Sequence, residues 1–453
     1  MSSDQSKPPC FKAYDIRGTV PAELNNDLAY RIGLATVAFL GARRMVVGRD
    51  CRLSSAELCA ALVRGLTDAG ADVLDIGLCG TEMVYYTTFA RELDGGIMVT
   101  ASHNPMDHNG MKLVRDEAKP ISGDSGLDTI GAAALNGDLR PADRKGNVTT
   151  EDILKEYVAY LVKQVDPDRF KPLKIVANAG NGCAGPAVAA LAEHLPCDII
   201  PVFDQPDGNF PNGIPNPLLP ENRGVTAEAV RKHGADLGLA WDGDFDRCFF
   251  FDAKGDFIEG YYLVGLLAAA SLRDHPGAGI VHDPRLTWNT IDMVAKAGGR
   301  PVMNKTGHAF MKERMRAEDA VYGGEMSAHH YFRQFAYCDS GMLPWLLVVQ
   351  EMSESGRSLA DLVKVMQEAY PASGEINRRL RDPEAALAEI EKIYGGAAVG
   401  IDRTDGVSLD MGSWRFNLRK SNTEPVIRLN VESRGNRPLM EEKTAEILQI
   451  LDQ

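Results

Sequence analysis

Short apolar runs alternate with longer segments of helical periodicity through the first three quarters of the chain. These runs predict strands at residues 45–48, 71–77, 95–99, 109–114, 173–177, 235–241, 279–283 and 319–322. Helices are predicted between them, for example through residues 58–66, where residues 54–57 would form a capping box. Strand, helix and strand in succession are typical of parallel βαβ units.

The last quarter of the chain has a different pattern. Antiparallel strands are predicted at residues 407–409, 414–418 and 426–431, and helices at residues 383–394 and 438–451. Because 453 residues are too many for one core, several domains are expected. The predicted fold class is α/β, with three tandem α/β/α domains that have related mixed sheets, and a C-terminal α+β domain, around a central cleft. The expected domains are residues 1–148, 149–249, 250–367 and 368–453.

Charge and composition argue against several kinds of partner. The chain has 49 basic and 63 acidic residues, a net charge of −14, which argues against a nucleic-acid partner and an anionic membrane surface. The longest apolar run, residues 261–272, is too short to span a membrane, and the N-terminus lacks an apolar signal core. Eight scattered cysteines without a CxxC pair predict reduced, mostly buried thiols in a cytoplasmic protein.

A serine follows the predicted strand at residues 95–99. The segment Thr100-Ala-Ser-His-Asn-Pro105 places Ser102 beside His103 at the strand's carboxyl end, where ligands bind in open α/β sheets. Such a serine can be a nucleophile or carry a covalent group. The alternative is a polar turn in which Ser102 caps a helix.

Three aspartates follow the strand at residues 235–241. Asp242, Asp244 and Asp246 are spaced at i, i+2 and i+4, a set of hard oxygen ligands suited to Mg²⁺. An EF-hand would need glycine and glutamate where Arg247 and Ala253 stand, so it is excluded. The motif of a haloacid-dehalogenase-type nucleophile also fits poorly. A fourth ligand position remains, which a phosphoryl oxygen on Ser102 would fill. The alternative interpretation of the three-aspartate segment is an acidic turn without a metal site.

Residues 180–185 spell the dinucleotide fingerprint G-x-G-x-x-G after a predicted strand. Asp204 ends the next strand, as that fingerprint requires. A strand-to-helix turn needs glycines for backbone reasons as well, and we therefore interpret the match as a decoy.

Other polar residues in loops complete the candidate chemistry. The loop at residues 419–423 offers cations, hydroxyls, an amide and turn N–H groups that suit a phosphate dianion, although a solvated hairpin is the alternative. Cations that would offset anionic charge are Arg247, Arg285 and Arg419. Partners for sugar hydroxyls are Glu325 and Ser327. Candidate proton carriers or phosphate contacts are His308, His329 and Lys112. Further residues expected to reach a substrate are Tyr14, Arg17 and Lys305, with Tyr14 and Arg17 alternatively serving as strand-end residues.

Four segments in this order resemble the signatures of the α-D-phosphohexomutase family. They are Thr100-Ala-Ser-His-Asn-Pro105, Asp242-Gly-Asp-Phe-Asp-Arg247, Gly324-Glu-Met-Ser327 and Arg419-Lys-Ser-Asn-Thr423. The resemblance covers essentially the whole chain, and within the family it is strongest to the bacterial phosphomannomutase/phosphoglucomutase group. It implies four domains in a heart shape, a phosphorylated Ser102, and Mg²⁺ held by the phosphoserine and the three aspartates.

The resemblance also implies an activity and residue roles. The enzyme would interconvert mannose 6-phosphate and mannose 1-phosphate, and also glucose phosphates, through a hexose 1,6-bisphosphate that also serves as activator, and would feed synthesis of GDP-mannose and surface polysaccharide. The non-transferred phosphate would be bound by Arg419, Ser421, Asn422 and Thr423. Glu325 and Ser327 would bind O3 and O4 of the sugar. His103, Lys112 and Arg17 would surround the phosphoserine.

Some alternatives stay open at this point. They are a metal-dependent sugar phosphatase, a sugar-phosphate sensor, and phosphoglucomutase as the main activity. Some relatives have lysine at the position of Arg285, and a guanidinium cannot act as a general acid, so Arg285 is assigned to charge and positioning. The partners expected are small hexose phosphates, with no nucleic acid or membrane, and the oligomeric state expected is a monomer or weak homodimer.

Overall fold

A computed structural model describes residues 7–420 and 426–452. These residues form two compact units. Unit 1 contains the chain up to Phe257 together with His329–Gly356, and unit 2 contains Ile258–Ala328 and the chain from Arg357 onward. The chain therefore leaves unit 1 after Phe257, forms part of unit 2 with residues 258–328, and returns to unit 1 for residues 329–356.

The N-terminal part of unit 1 is a six-stranded mixed sheet with four helices. Its elements are β1 (Ile16–Thr19), α1 (Asn26–Leu40), β2 (Arg44–Arg49), α2 (Ser55–Asp68), β3 (Asp72–Leu78), α3 (Thr81–Ala90), β4 (Gly95–Val99), β5 (His108–Arg115), α4 (Leu127–Asn136) and β6 (Val148–Thr150). The strand order is β1-β5-β4-β2-β3-β6. β4, β2, β3 and β6 run parallel, whereas β5 is antiparallel to both β4 and β1.

Local sequence explains where these helices begin and end. The Asn25 side chain accepts a hydrogen bond from Leu28 N at the start of α1, and Gly41 ends that helix in the left-handed conformation, with φ of 63°. The core between the helices and the sheet is apolar, and Ile32, Leu62 and Ile97 have no exposed surface.

The second part of unit 1 is a five-stranded mixed sheet. Its elements are α5 (Leu154–Val162), β7 (Lys174–Asn178), α6 (Ala184–Ala192), β8 (Asp198–Val202), α7 (Gly224–His233), β9 (Leu237–Trp241), β10 (Cys248–Phe251) and β11 (Phe257–Ile258). The order is β11-β10-β9-β7-β8, in which β9, β7 and β8 are parallel and β10 is antiparallel to β9. The acidic segment 242–247 therefore joins two antiparallel neighbours at the end of β9.

The chain next forms a parallel sheet in unit 2 and then a hairpin in unit 1. The elements in unit 2 are α8 (Gly260–Asp274), β12 (Gly279–His282), α9 (Trp288–Lys296), β13 (Arg300–Met303), α10 (His308–Glu318) and β14 (Tyr322–Gly324). β12 is parallel to both β13 and β14. The elements in unit 1 are the antiparallel pair β15 (His330–Phe332) and β16 (Cys338–Asp339), followed by α11 (Leu343–Ser355).

The C-terminal part of unit 2 has an antiparallel sheet. Its elements are α12 (Leu359–Ala369), β17 (Ile376–Arg379), α13 (Pro383–Tyr394), β18 (Gly400–Asp402), β19 (Val407–Asp410), β20 (Trp414–Lys420), β21 (Val426–Ser433) and α14 (Arg437–Leu451). The order β17-β21-β20-β19-β18 is antiparallel throughout. Mixed α/β sheets followed by an antiparallel C-terminal sheet confirm the fold class expected from the sequence.

Two local predictions were wrong. Helix α2 forms where expected, but Ser54 makes no capping hydrogen bond, and its hydroxyl instead accepts one from Asn109 Nδ2 at 2.8 Å. The strand expected at residues 319–322 begins only at Tyr322, because Asp319 adopts the left-handed conformation that ends α10.

Two general expectations can be compared directly with the structure. None of the helices within residues 7–420 and 426–452 is long and apolar enough to cross a bilayer. Six of the eight cysteines are buried and two are half-buried, and none forms a disulfide among the described residues.

The glycines of the 180–185 turn are explained by close backbone packing. A Cβ atom on Gly185 would lie 1.8 Å from the carbonyl oxygen of Asp204, and one on Gly182 would lie 2.9 Å from the backbone of Gly243. Gly180 has φ of +56°, where side chains are strained. These contacts support the interpretation of the dinucleotide fingerprint as a decoy, since protein backbone occupies the space next to the glycines.

Replacing Gly185 with alanine should destabilise unit 1 by about 2 kcal/mol, because the backbone of Asp204 must move away from the new methyl group. Urea unfolding measures the change. Gly224→Ala is the matched control, since a Cβ there meets no atom within 4 Å. Equal stability of the two variants would contradict this account of the turn.

Candidate active site

Ser102 lies in a tight turn three residues beyond β4. It is buried and has φ of +49°, and its backbone N–H donates to Thr100 Oγ1 at 2.9 Å. The turn leads directly into β5, so the alternative in which Ser102 caps a helix is wrong. The buried guanidinium of Arg52 holds the turn by donating to the carbonyl oxygens of Ser102, Asn104, Pro105 and His108 at 2.6–3.1 Å.

The three aspartates form a buried cluster beside this serine. Asp242, Asp244 and Asp246 are at most 1% exposed, and one oxygen from each lies within 4.8 Å of the others. Ser102 Oγ donates to Asp242 Oδ2 at 2.6 Å. The backbones also meet, since a Cβ on Gly243 would lie 2.6 Å from the carbonyl oxygen of Ser102. The structure therefore brings the serine and the three carboxylates together.

Lys112 neutralises part of the negative charge of the cluster. Its ammonium donates to Asp244 Oδ2 at 2.7 Å and also to Asp246. Burial pulls the pKa of Lys112 down, but the two carboxylates outweigh burial and hold that pKa above its usual value. Burial likewise raises the pKa of Asp246, but the charge of Lys112 outweighs it and keeps the pKa well below normal. Lys112 and Asp246 therefore stay charged at neutral pH.

The carboxylates retain oxygens that suit a metal ion. The Oδ1 atoms of Asp242, Asp244 and Asp246 are buried and accept no hydrogen bond from any described residue. Burial and the charge of Asp246 raise the pKa of Asp242, and a divalent cation would offset both effects. Three carboxylates with a serine hydroxyl are a hard oxygen set, so the residues fit a divalent cation such as Mg²⁺.

Two histidines and two arginines lie around the cluster. Arg247 Nε donates to His329 Nε2 at 3.1 Å, and the same nitrogen lies 3.7 Å from Asp246 Oδ1. His103 Nδ1 is 3.0 Å from Ser102 Oγ, and burial followed by the charges of Arg247 and Arg17 holds the pKa of His103 well below normal. Arg17 donates to the carbonyl oxygen of Thr100 at 3.2 Å and to Asp15 at 2.9 Å.

Some residues of this site were not found from the sequence. Thr81, the first residue of α3, donates through its hydroxyl to Asp244 Oδ2 at 2.5 Å and through its N–H to Asp244 O at 3.0 Å. Asp339 lies 3.9 Å from His329 Nε2. Both residues are far in sequence from the aspartates and belong to no motif, so only the folded chain identifies them.

Unit 2 contains a second buried polar cluster. The Nη2 atom of Arg285 donates to Asp283 at 2.7 Å and to Ser327 Oγ at 3.2 Å, and it lies 3.7 Å from Glu325 Oε1. Glu325 also accepts the backbone N–H of Gly307 at 3.0 Å. The structure thus brings together Arg285, Glu325 and Ser327.

Glu375 is another residue that was not identified from the sequence. It lies between three arginines of unit 2. Its carboxylate accepts from Arg285 at 3.3 Å, from Arg419 at 3.1 Å and from Arg428 at 2.8 Å. Burial raises the pKa of Glu375, but these arginines outweigh burial and lower the pKa to about 2. Since Arg285 also pairs with Asp283 and lies near Glu325, the three arginines of this cluster face three carboxylates.

Lys305, His308 and Tyr14 were also predicted to contact the substrate. Lys305 Nζ lies 3.4 Å from the centroid of the Phe310 ring, and His308 begins α10 with Nδ1 3.4 Å from Lys312 Nζ. Tyr14 is half-buried shortly before β1. Three predicted phosphate-binding residues lie outside the described residues: Ser421, Asn422 and Thr423.

Comparisons with known proteins agree across the whole chain. Family models described as phosphoglucomutase/phosphomannomutase match in order: alpha/beta/alpha domain I at residues 9–140, domain II at 155–255, domain III at 259–370 and the C-terminal domain at 375–450. The chain is 58% identical over 450 residues to a phosphomannomutase of Salmonella montevideo, covering 98% of this chain and 99% of that protein.

A second relative and a solved structure also match 98% of this chain. A Xanthomonas campestris protein named phosphohexose mutases is 59% identical over 448 residues, covering 98% of this chain and 99% of the relative. A crystal structure of a phosphoglucomutase/phosphomannomutase family protein from Burkholderia thailandensis has a TM-score of 0.87 at 31% identity, covering 98% of this chain and 96% of that one.

The low pKa of Glu375 predicts how stability depends on pH. A carboxylate with a folded pKa of about 2, against 4.5 ordinarily, contributes stability above pH 4.5 that is lost as pH falls through about 2. Glu375→Gln should therefore cost about 3 kcal/mol at pH 7 and progressively less toward pH 2, measured by urea unfolding.

Glu384→Gln is the matched control for this measurement. Glu384 pairs with Lys420 on the surface, with 72% of its side chain exposed, so its replacement should change stability by at most about 1 kcal/mol. A cost for Glu375→Gln that does not change with pH would show that the carboxylate's charge is not what stabilises unit 2.

Proposed function

The chain belongs to the phosphoglucomutase/phosphomannomutase family, and we propose that it interconverts mannose 6-phosphate and mannose 1-phosphate, and also glucose phosphates, through phosphorylated Ser102. Membership makes it an intramolecular phosphotransferase of hexose phosphates. The observation that carries the proposal is the contact of Ser102 Oγ with Asp242 at 2.6 Å, within a cluster of three carboxylates. A hydroxyl held there can carry a phosphoryl group against a bound cation.

Unit 1 would perform phosphoryl transfer. Asp242, Asp244 and Asp246 would hold Mg²⁺, which polarises the phosphoryl group and offsets its charge. Arg17 and Arg247 would hold the equatorial oxygens, since guanidinium groups match phosphate geometry. Lys112 keeps its proton next to two carboxylates, so its role would be to supply charge and position rather than to act as a base.

Proton transfer would then fall to a histidine. The attacking hydroxyl, O1 or O6 of the sugar, loses its proton as it bonds to the phosphorus atom, and Ser102 Oγ is released with the electrons of the broken P–O bond. His329 Nε2, which accepts from Arg247 at 3.1 Å, would accept the first proton once the sugar hydroxyl takes the place of that guanidinium. His103, 3.0 Å from Ser102 Oγ, would orient that oxygen. Transfer of the other phosphoryl group of the 1,6-bisphosphate restores the phosphoserine.

Unit 2 would bind the rest of the substrate. Glu325 and Ser327 offer an acceptor and a donor for O3 and O4 of the sugar, and Arg285 supplies positive charge without acting as an acid. Arg419, with Ser421, Asn422 and Thr423, would bind the phosphate that is not transferred. Hydrogen bonds to O3 and O4 do not distinguish mannose from glucose, which differ only in the configuration at O2. We therefore propose that glucose phosphates also react. The product mannose 1-phosphate would supply synthesis of GDP-mannose and surface polysaccharide.

Ser102→Ala should abolish exchange between mannose 1-phosphate and mannose 6-phosphate, because no other group would carry the phosphoryl between the two ends. A coupled assay started with hexose 1,6-bisphosphate measures the exchange, and labelled bisphosphate should transfer its phosphoryl to wild-type protein only. Ser54→Ala is the control, since that hydroxyl accepts a hydrogen bond from Asn109 rather than contacting the carboxylate cluster among the described residues. Steady release of inorganic phosphate by wild-type protein without bisphosphate would favour a phosphatase instead.

Removal of divalent metal should lower the exchange rate by at least about 100-fold, because the three carboxylates would then repel the phosphoryl group. Dialysis against a chelator, followed by addition of Mg²⁺, measures loss and recovery. Calorimetric titration of Mg²⁺ into the Asp244→Asn variant should also show weaker binding than in the wild type. Full activity after chelation would exclude a metal role for the cluster.

A further inference from the structure

The side chain of Arg52, shortly after β2, binds the whole turn that carries Ser102. Its Nη1 atom donates to the carbonyl oxygens of Pro105 at 2.7 Å and His108 at 3.1 Å. Its Nη2 atom donates to those of Ser102 at 2.9 Å and Asn104 at 2.6 Å. One guanidinium group therefore fixes the backbone from the serine to the first residue of β5.

The serine turn has a backbone shape that needs support. Ser102 has φ of +49°, in the left-handed region that costs a residue with a side chain energy to adopt. A guanidinium group presents its donors in a rigid planar fork, so it can bind several carbonyl oxygens that point in different directions. The placement of Ser102 Oγ at 2.6 Å from Asp242 therefore depends on a turn that Arg52 holds.

Arg52 is itself fixed by its neighbours. Its Nε atom lies 3.4 Å from Asp50 Oδ2, and at most 2% of either side chain is exposed. Asp50 Oδ1 accepts from Ser55 Oγ at 2.5 Å and from the N–H of Arg52 at 3.0 Å. The ring of Phe210, a buried residue between β8 and α7, has its centroid 5.4 Å from Arg52 Cζ. The guanidinium group is thus held in one orientation inside unit 1.

We propose that Arg52 is a positioning residue for phosphoryl transfer, which holds Ser102 Oγ within reach of Asp242 and of the phosphoryl group that it receives. This role rests on the proposed mutase function. Arg52 acts through the backbone of the serine turn, whereas the residues proposed to bind the sugar and its other phosphate lie in unit 2. Loss of the guanidinium group should therefore lower kcat and leave KM nearly unchanged.

The test compares two lysine substitutions in the full chain by the coupled assay of mannose 1-phosphate exchange. In Arg52→Lys the ammonium lacks the planar fork, so kcat should fall by about 100-fold, the cost of a shift near 1 Å in a reacting group. KM should stay within about twofold of the wild type. Arg31→Lys is the matched control and should keep both values, since Arg31 also donates to carbonyl oxygens, those of Ala134, Leu135 and Gly137 at the end of α4.

Further measurements separate positioning from a loss of folding. Guanidinium chloride, at concentrations well below those that unfold the protein, should restore part of the kcat of Arg52→Ala, because the free ion can bind the same carbonyl oxygens. The phosphoserine resonance in ³¹P NMR spectra should shift in Arg52→Lys and stay in place in Arg31→Lys. Asp50→Asn keeps the arginine but weakens its hold, so kcat should fall by about tenfold at unchanged KM.

The outcomes distinguish this role from the function on which it rests. Wild-type kcat in both Arg52→Lys and Asp50→Asn would overturn the role of Arg52 and leave the mutase function standing. A lower kcat with neither a shifted phosphoserine resonance nor rescue by guanidinium would also overturn it, because the turn would not have moved. Asp50→Asn decides the question if Arg52→Lys does not fold. Absence of phosphoryl label on Ser102 in the wild type would instead overturn the mutase function, and the role of Arg52 with it.

Discussion

The structure of unit 1 depends on placing three carboxylates in a buried site without letting their repulsion open it. Each aspartate loses the stabilisation that water gives a negative charge, and each raises the energy of its neighbours. Lys112 meets this constraint by placing its ammonium against Asp244 and Asp246. Thr81 adds two hydrogen bonds to Asp244. Asp242 lies 3.6 Å from Arg247 Nε and accepts a hydrogen bond from the hydroxyl of Ser102.

Unit 2 has a buried cluster in which arginines are paired with carboxylates. Three arginines surround the single carboxylate of Glu375, and Arg285 also faces Asp283 and Glu325. A second buried acid, Glu432, accepts from Arg415 at 2.8 Å and from the N–H of Thr287 at 2.8 Å, and so fixes the segment that carries Arg285. The carboxylate cluster of unit 1 suits a cation, whereas the arginines of the unit 2 cluster are already paired with carboxylates.

The sequence predicts well what is encoded within a few residues. The strands before Ser102 and Asp242 are continuous apolar runs, and the polar loops that follow them are uninterrupted motifs, so both the elements and the candidate chemistry could be found. Contacts between distant segments could not. Thr81 and Asp244 are separated by 163 positions and Arg285 and Glu375 by 90, and no local pattern records either pair. The capping box at Ser54 was wrong because Asn109, a residue of β5, takes that hydroxyl as its partner.

The contact between Ser102 and Asp242 also explains why a metal and a phosphoserine would depend on each other at this site. Burial and the charge of Asp246 raise the pKa of Asp242, so adding a phosphoryl dianion to the neighbouring oxygen would increase a repulsion that is already present. A divalent cation held by Asp242, Asp244 and Asp246 would offset that repulsion. Without the phosphoryl group, the Ser102 hydroxyl would be a weaker ligand for such a cation. Phosphorylation of the serine should therefore strengthen metal binding, and metal binding should stabilise the phosphorylated serine. The two events should be linked by a favourable coupling free energy.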